Sequence, residues 1–197
     1  IRLRREPREP RELLPDDDIP AVYVVERYGL SDTLILEQAC LEAGMPSPYE
    51  AATRLPIKRK RAIIALTPRP SLFRDRTHVS RSETLSKLVE LIHAGREDDI
   101  RLVPVSIFVG RAPDRQSGWF RVLFAENWVV VGRFRRLLAI LLNGRDTIVQ
   151  FSAPVSLKQI VAEQEGLALE RIVRKLSRVL RVHFRLTRTT IIGADLS

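Results

Sequence analysis

Two short runs without a charged residue, Ala21-Val22-Tyr23-Val24-Val25 and Ala62-Ile63-Ile64-Ala65-Leu66, constrain this chain more than any other feature in it. A strand that is apolar at every position has to be buried on both faces, which is the situation of a strand inside a parallel sheet covered by helices. The residues between the two runs supply such a helix. Gly29 breaks the first run, Ser31 and Asp32 suit a helix start, and Leu34, Ile35, Leu36, Cys40 and Leu41 carry the apolar face. Gly44 and Pro46 close it. A third strand is expected over residues 100–109 and a fourth over 147–151. Before the third, Ser80 and Glu83 have capping-box spacing for a helix carrying Leu85, Leu88, Val89 and Ile92, which Gly95 ends. The order strand, helix, strand, helix, strand predicts an α/β fold built on a small, mostly parallel sheet with covering helices.

The flanks have a different texture. Residues 1–20 mix Arg, Glu, Asp and Pro and are expected to form an irregular arm. Residues 45–60 are expected to be a proline-rich connector ending in the basic cluster Lys58-Arg59-Lys60-Arg61, and residues 67–80 an arginine-rich loop. The domain plan is therefore an arm over 1–20, an α/β domain over 21–166, and a basic amphipathic helix with its tail over 167–197. At 197 residues the chain suits one substantial domain. Its longest aliphatic run, residues 137–142, is far short of the roughly 20 residues that span a bilayer. The single cysteine, Cys40, permits neither an internal disulfide nor a cysteine-based zinc cluster. A reducing, cytoplasmic setting is expected, and since the only methionine is Met45, the chain reads as a piece of a longer or processed protein.

Charge supplies the first functional clue. The formal net charge is +9, and only five of the 33 cations are lysines. Arginine's planar fork suits phosphate and carboxylate partners. Over residues 168–189 seven cations stand against one acid, Glu170. Leu169, Ile172, Val173, Leu176, Leu180, His183 and Phe184 form one helical face there, and Arg171, Arg174, Arg178, Arg181, Arg185 and Arg188 form the opposite one. A basic stripe of one sign calls for an anionic counterpart: lipid phosphate, nucleic acid or an acidic protein surface. Residues 119–142 offer a second candidate surface. Trp119, Phe120, Phe124, Trp128 and Phe134 lie among Arg133, Arg135 and Arg136, a mixture suited to a lipid headgroup layer and equally to a core helix beside an edge strand.

Catalytic chemistry finds little support. His93 and Asp98 have His-x4-Asp spacing, but His93 falls at the end of a helix, where the helix dipole accounts for a histidine. His78 lies in the arginine-rich loop and His183 on an apolar face. No HExxH, GxGxxG, Walker A or GxSxG motif occurs, so neither a metal nor a cofactor is expected.

Three stretches taken together carry a family resemblance: Val103-Pro104-Val105-Ser106-Ile107-Phe108-Val109-Gly110-Arg111-Ala112-Pro113, then Gly144-Arg145-Asp146-Thr147-Ile148-Val149-Gln150-Phe151-Ser152, then Lys175-Leu176-Ser177-Arg178-Val179-Leu180-Arg181-Val182-His183-Phe184. In this order and spacing the chain resembles the N-terminal region of the bacterial membrane-bound glycerol-3-phosphate acyltransferases of the PlsB type. The resemblance implies a parent enzyme of phospholipid biosynthesis, at the inner membrane, that moves an acyl chain from acyl carrier protein or coenzyme A to glycerol 3-phosphate. The family's catalytic block, His-Arg-Ser-His-Met-Asp after a Val-Tyr-Val strand, and its later Glu-Gly-Gly-Arg-Ser motif do not occur here, so the chain reads as a non-catalytic N-terminal domain.

The strand Val22-Tyr23-Val24 is nevertheless followed by Arg27-Tyr28-Gly29-Leu30-Ser31-Asp32 and a leucine-rich helix. That is the context of the family's catalytic motif with Asp32 kept and Arg27 in place of the histidine. We read the domain as a degenerate copy of the acyltransferase fold, a pseudo-enzyme partner of the catalytic domain, since arginine cannot act as a base. The expected partners are an anionic membrane surface, the parent's own C-terminal catalytic domain and acyl carrier protein, with peripheral attachment at the cytoplasmic face of the inner membrane. A basic nucleic-acid-binding module and a purely structural interaction domain are the alternatives. The first lacks the interleaved aromatic residues of such modules.

Overall fold

The computed structural model describes residues 3–6, 9–15, 17–27, 29–67, 80–109 and 147–194. Its centre is the strand β2 (Ala21–Arg27), whose first five residues are all buried. Ala21, Tyr23 and Val25 face one core, and Val22 and Val24 face another. Strand β3 (Ile63–Thr67) divides the same way, Ile63 and Ala65 against Ile64 and Leu66, because successive side chains of a strand point to opposite faces. The continuous apolar runs of the sequence thus have their cause in burial from both sides.

Helix α1 (Leu30–Glu42) covers the first face with Ile35, Leu36, Ala39 and Cys40. It starts two to three residues earlier than the capping pattern suggests: Gly29 is its N-cap, and Ser31 and Asp32 lie inside the first turn. Gly44, at φ +64°, turns the chain out of it. Where a connector is expected, residues Pro48–Thr53 form a further helix, α2. Ser47 Oγ accepts from the Glu50 amide at 3.2 Å while the Glu50 carboxylate accepts from the Ser47 amide at 2.7 Å, and Pro48 occupies the first turn. A proline that reads as a breaker here starts a helix, since its missing N–H would have no partner at that position anyway. Helix α3 (Ser80–His93) covers the second face through Leu85, Leu88, Val89 and Ile92, and Gly95 at φ +64° follows it.

The sheet order is β1-β5-β4-β2-β3, with β1 at Leu3–Glu6, β4 at Arg101–Val109 and β5 at Thr147–Phe151; β6 (Val155–Ser156) pairs with β4 as well. The pairs β2–β3, β2–β4 and β1–β5 are parallel, whereas β4–β5 and β4–β6 are antiparallel, so the sheet is mixed where a mostly parallel one was expected. The physical reason is visible in β5. Its burial alternates, with Thr147, Val149 and Phe151 inside, as fits an antiparallel strand covered on one face. Residues 1–20 also depart from an irregular arm. Leu3 to Glu6 pair with Thr147 to Gln150, Pro10–Leu13 form a 3-10 turn, and Asp17 takes two hydrogen bonds of 2.5 and 2.6 Å from Arg101.

Helices α4 (Leu157–Ala162) and α5 (Leu169–Ala194) complete the second layer. Ile172, Val173, Leu176, Leu180 and Phe184 of α5 share one core with Val22 and Val24 of β2, so α5 is part of the fold's packing. Leu176→Ala is expected to destabilise the chain by about 2–5 kcal/mol, the range for an imperfectly collapsing cavity. Urea unfolding followed by circular dichroism measures it.

Candidate functional site

The path of the chain around β2 creates a crevice. From β2 it runs through α1 and α2 on one face to β3 at the sheet edge, then through α3 on the other face to β4 on the opposite side of β2. Where successive crossovers leave in opposite directions, the carboxyl ends of the two inner strands part and leave room between them. The last register pair of β2 with β4 is Val25↔Val105; beyond it β2 continues along β3 to Arg27↔Thr67, and β4 continues along β5 to Val109↔Thr147. A cavity of about 170 Å³ occupies the gap.

Its polar lining comes from four elements: Glu26 and Arg27 end β2, Asp32 lies in the first turn of α1, Ser106 belongs to β4 and Arg188 to α5. Arg188 is ion-paired with Glu26. Gly29 makes room for Asp32. A Cβ at position 29 would stand 2.4 Å from Asp32 Oδ2, so a larger residue there would push the Asp32 carboxylate aside, whereas the φ of −117° is open to any residue. The carboxylate lies close to the amino end of α1, where the helix dipole favours negative charge. Arg27 and Asp32, singled out as the altered catalytic-motif positions, therefore line one cavity. Glu26, Ser106 and Phe184 join them there; Ser106 and Phe184 fall in stretches that carry the family resemblance, but no spacing marks any of the three as lining a cavity.

Other reactive groups are accounted for by packing. Burial pushes the Cys40 thiol up to about 12 and raises the Tyr23 phenol, whose hydroxyl donates to the Pro46 carbonyl at 2.6 Å. His183 Nε2 lies 2.8 Å from Ser152 Oγ, and burial holds its imidazole below the ordinary value. No third group orients that histidine among the described residues, so the pair lacks the arrangement that activates a serine. His93 ends α3, exposed. No group of potential metal ligands clusters among the described residues.

Residues 1–193 match the family model described as the glycerol-3-phosphate acyltransferase PlsB N-terminal domain. The chain belongs to this family. It is 54% identical over its full length to the glycerol-3-phosphate acyltransferase of Xanthomonas campestris pv. campestris, covering 22% of that protein. It is 55% identical over 92% of its length to that of Xanthomonas axonopodis pv. citri, covering 21%, and 38% identical over 92% to that of Pseudomonas fluorescens, covering 22%. The chain thus spans about a fifth of the length of the relatives it matches. No solved structure matches it.

The outer face of α5 is the second feature of this PlsB N-terminal domain that could meet a partner. Of the six arginines of the expected stripe, two turn back to the fold: Arg181 donates to the Leu66 carbonyl at 3.3 Å, and Arg188 pairs with Glu26. Arg171, Arg174, Arg178 and Arg185 are exposed, and their side chains make no hydrogen bond or ion pair with a described residue. Beside them Val179, Val182 and Leu186 stand 57%, 47% and 62% exposed, a lane that the reading of α5 as one buried and one basic face overlooks. The 119–142 surface, with Trp119, Phe120, Phe124, Trp128, Arg133, Phe134, Arg135 and Arg136, lies outside the described residues. No helix among the described residues is long and apolar enough to cross a membrane.

The His183 shift has a testable sign. Unfolded, the imidazole takes up its proton near 6.5; folded, only at lower pH. The unfolded chain therefore holds more protons in between, and this group's contribution to stability is intact above pH 6.5 and lost as pH falls through the lowered folded value. In urea titrations between pH 7.5 and 5, wild type is expected to lose more stability than His183→Gln.

Proposed function

We propose that this chain is the non-catalytic N-terminal domain of a glycerol-3-phosphate 1-O-acyltransferase and holds the catalytic domain on an anionic membrane surface through the outer face of α5. The parent enzyme would transfer an acyl chain from acyl carrier protein or coenzyme A to glycerol 3-phosphate in phospholipid biosynthesis, attached peripherally at the cytoplasmic face of the inner membrane. The observation that carries the docking role is the pairing of four unpartnered arginines with an adjacent apolar lane on one exposed helix face. Arginines meet lipid phosphates while apolar side chains enter the headgroup boundary, each arginine contributing about 1 kcal/mol near an anionic surface.

The same reading makes the domain a degenerate acyltransferase. What supports it is the strand β2, the turn at Gly29 and helix α1, with Arg27 at the strand's end and Asp32 in the helix's first turn. An arginine where a base belongs cannot remove a proton from a hydroxyl. A glycerol-3-phosphate acylation assay on this chain is expected to read blank, and turnover would overturn the assignment.

Flotation with vesicles tests the docking role. The chain is expected to float with anionic but not neutral vesicles, less at high salt, and with little competition from duplex DNA. Replacing Arg171, Arg174, Arg178 and Arg185 by Glu should weaken flotation on the order of a thousandfold. Circular dichroism should be unchanged, since all four are exposed and their side chains bond no described residue. Undiminished flotation of a folded quadruple variant, or release of the wild type by DNA, would sink this reading.

A further inference from the structure

We infer that the carboxyl half of α5, from Arg181 onward, is a strap that opens separately from the rest of the fold and is drawn off the sheet by an anionic lipid surface. The trigger rests on the docking reading above; the strap itself does not.

The two halves of α5 are held by different forces. The first half buries Ile172, Val173, Leu176 and Leu180 in one core with Val22, Val24, Leu102 and Leu157. Beyond Leu180 the described side chains that turn inward are His183, Phe184, Thr187 and Arg188, and of these only Phe184 joins that core. What they meet is polar as well. Ser106 lies on the same face of β4 as Leu102, the face that α5 covers, because alternate residues of a strand share a face. Register sets Gln150 of β5 beside Ser106, and Ser152, just past that strand, meets His183. The Gln150 side-chain oxygen is buried and takes no hydrogen bond from any described residue. The cavity of about 170 Å³ borders this half too, with Ser106, Phe184 and Arg188 in its wall. Arg181 to the Leu66 carbonyl, His183 to Ser152 Oγ and Arg188 to Glu26 are polar ties. Water replaces such ties at small net cost, whereas nothing in water replaces the packing of the first half. A segment with one buried apolar anchor beside a cavity opens locally at far lower cost than the whole domain.

Charge gives the opening a direction. Closed, α5 presents Arg171, Arg174, Arg178 and Arg185 to a bilayer, with the lane of Val179, Val182 and Leu186. Open, its second half adds Arg181, Arg188 and Phe184. A ligand shifts an equilibrium toward the form that it binds more tightly. Anionic lipid competes with Glu26 for the half-exposed Arg188 and therefore favours the open form.

Thiol labelling reads the opening in the 197-residue chain. Thr187→Cys places a thiol on the buried side of the strap, and Cys40, buried under α1, is the internal control. Each rate with an uncharged maleimide is taken relative to the urea-unfolded chain. The introduced thiol is expected to react on the order of a hundredfold faster than Cys40. Glu26→Gln should speed it about threefold further and leave Cys40 unchanged. Anionic vesicles should speed it by about threefold or more and neutral ones not at all. The α5 quadruple variant should lose the vesicle effect and keep the free-chain rate. Hydrogen exchange on the unmodified chain is the second measurement: amides 183–189 are expected to exchange on the order of a hundredfold faster than amides 173–180. Equal relative rates for the two thiols, equal exchange along α5, or a labelling rate that Glu26→Gln leaves unchanged overturns the strap. A chain that floats with anionic vesicles at an unchanged labelling rate overturns the trigger while the docking reading stands. A chain that floats with none overturns docking and trigger together, and the free-chain rates still decide the strap.

Discussion

Burial of β2 from both faces is the constraint on which the rest of this structure depends. A central strand with parallel neighbours on each side, β3 and β4, has no hairpin route to either. Each neighbour is reached through helices, and each helix buries one face of the sheet. Covering both faces then requires α1 and α2 on one side and α3 on the other. That demand separates the carboxyl ends of β2 and β4, so the crevice is a by-product of how the core is covered. The same demand calls on α5, whose apolar face closes the second core over Val22 and Val24.

Much of this is legible in the residues alone, for reasons that differ by element. Continuous apolar runs identify β2 and β3 because nothing but two-sided burial accounts for them. Gly44 and Gly95 mark helix ends because both adopt positive φ. The antiparallel placement of β5 is less visible: a five-residue strand carries its alternation but not its direction. The helix Pro48–Thr53 is hidden by Pro48 and its neighbour Pro46, although Ser47 and Glu50 spell a capping box. The edge strand Leu3–Glu6 is concealed by charge, since an edge can bear Arg and Glu side chains where a central strand cannot.

The site divides similarly. Arg27 and Asp32 stand out because a strand, a short turn and a helix bring both to one cavity over five residues of chain. Glu26, Ser106, Phe184 and Arg188 come together only through pairings across the sheet and across α5. No spacing rule encodes a partnership between positions 26 and 188. Glu26 follows from register: alternating along β2, it shares the face of Val22 and Val24, the one that α5 covers.

That register also explains why the α5 stripe is not one functional unit. Arginines at three- and four-residue spacing look equivalent on a helical wheel, yet a helix packed on a sheet has a flank as well as an outer face. Arg181 and Arg188, seven residues apart, fall on one flank, where the ends of β3 and β2 offer a carbonyl and a carboxylate. Arg171, Arg174, Arg178 and Arg185 fall farther round and meet no such group. Val179, Val182 and Leu186 continue that outer face, and scattered exposed aliphatics would need no explanation. Three at helical spacing beside four unpaired cations form a surface of two chemistries, one that water serves poorly on the apolar side and that salt weakens on the other. A partner that is anionic at its rim and apolar beneath satisfies both, and a bilayer of anionic lipid has that profile.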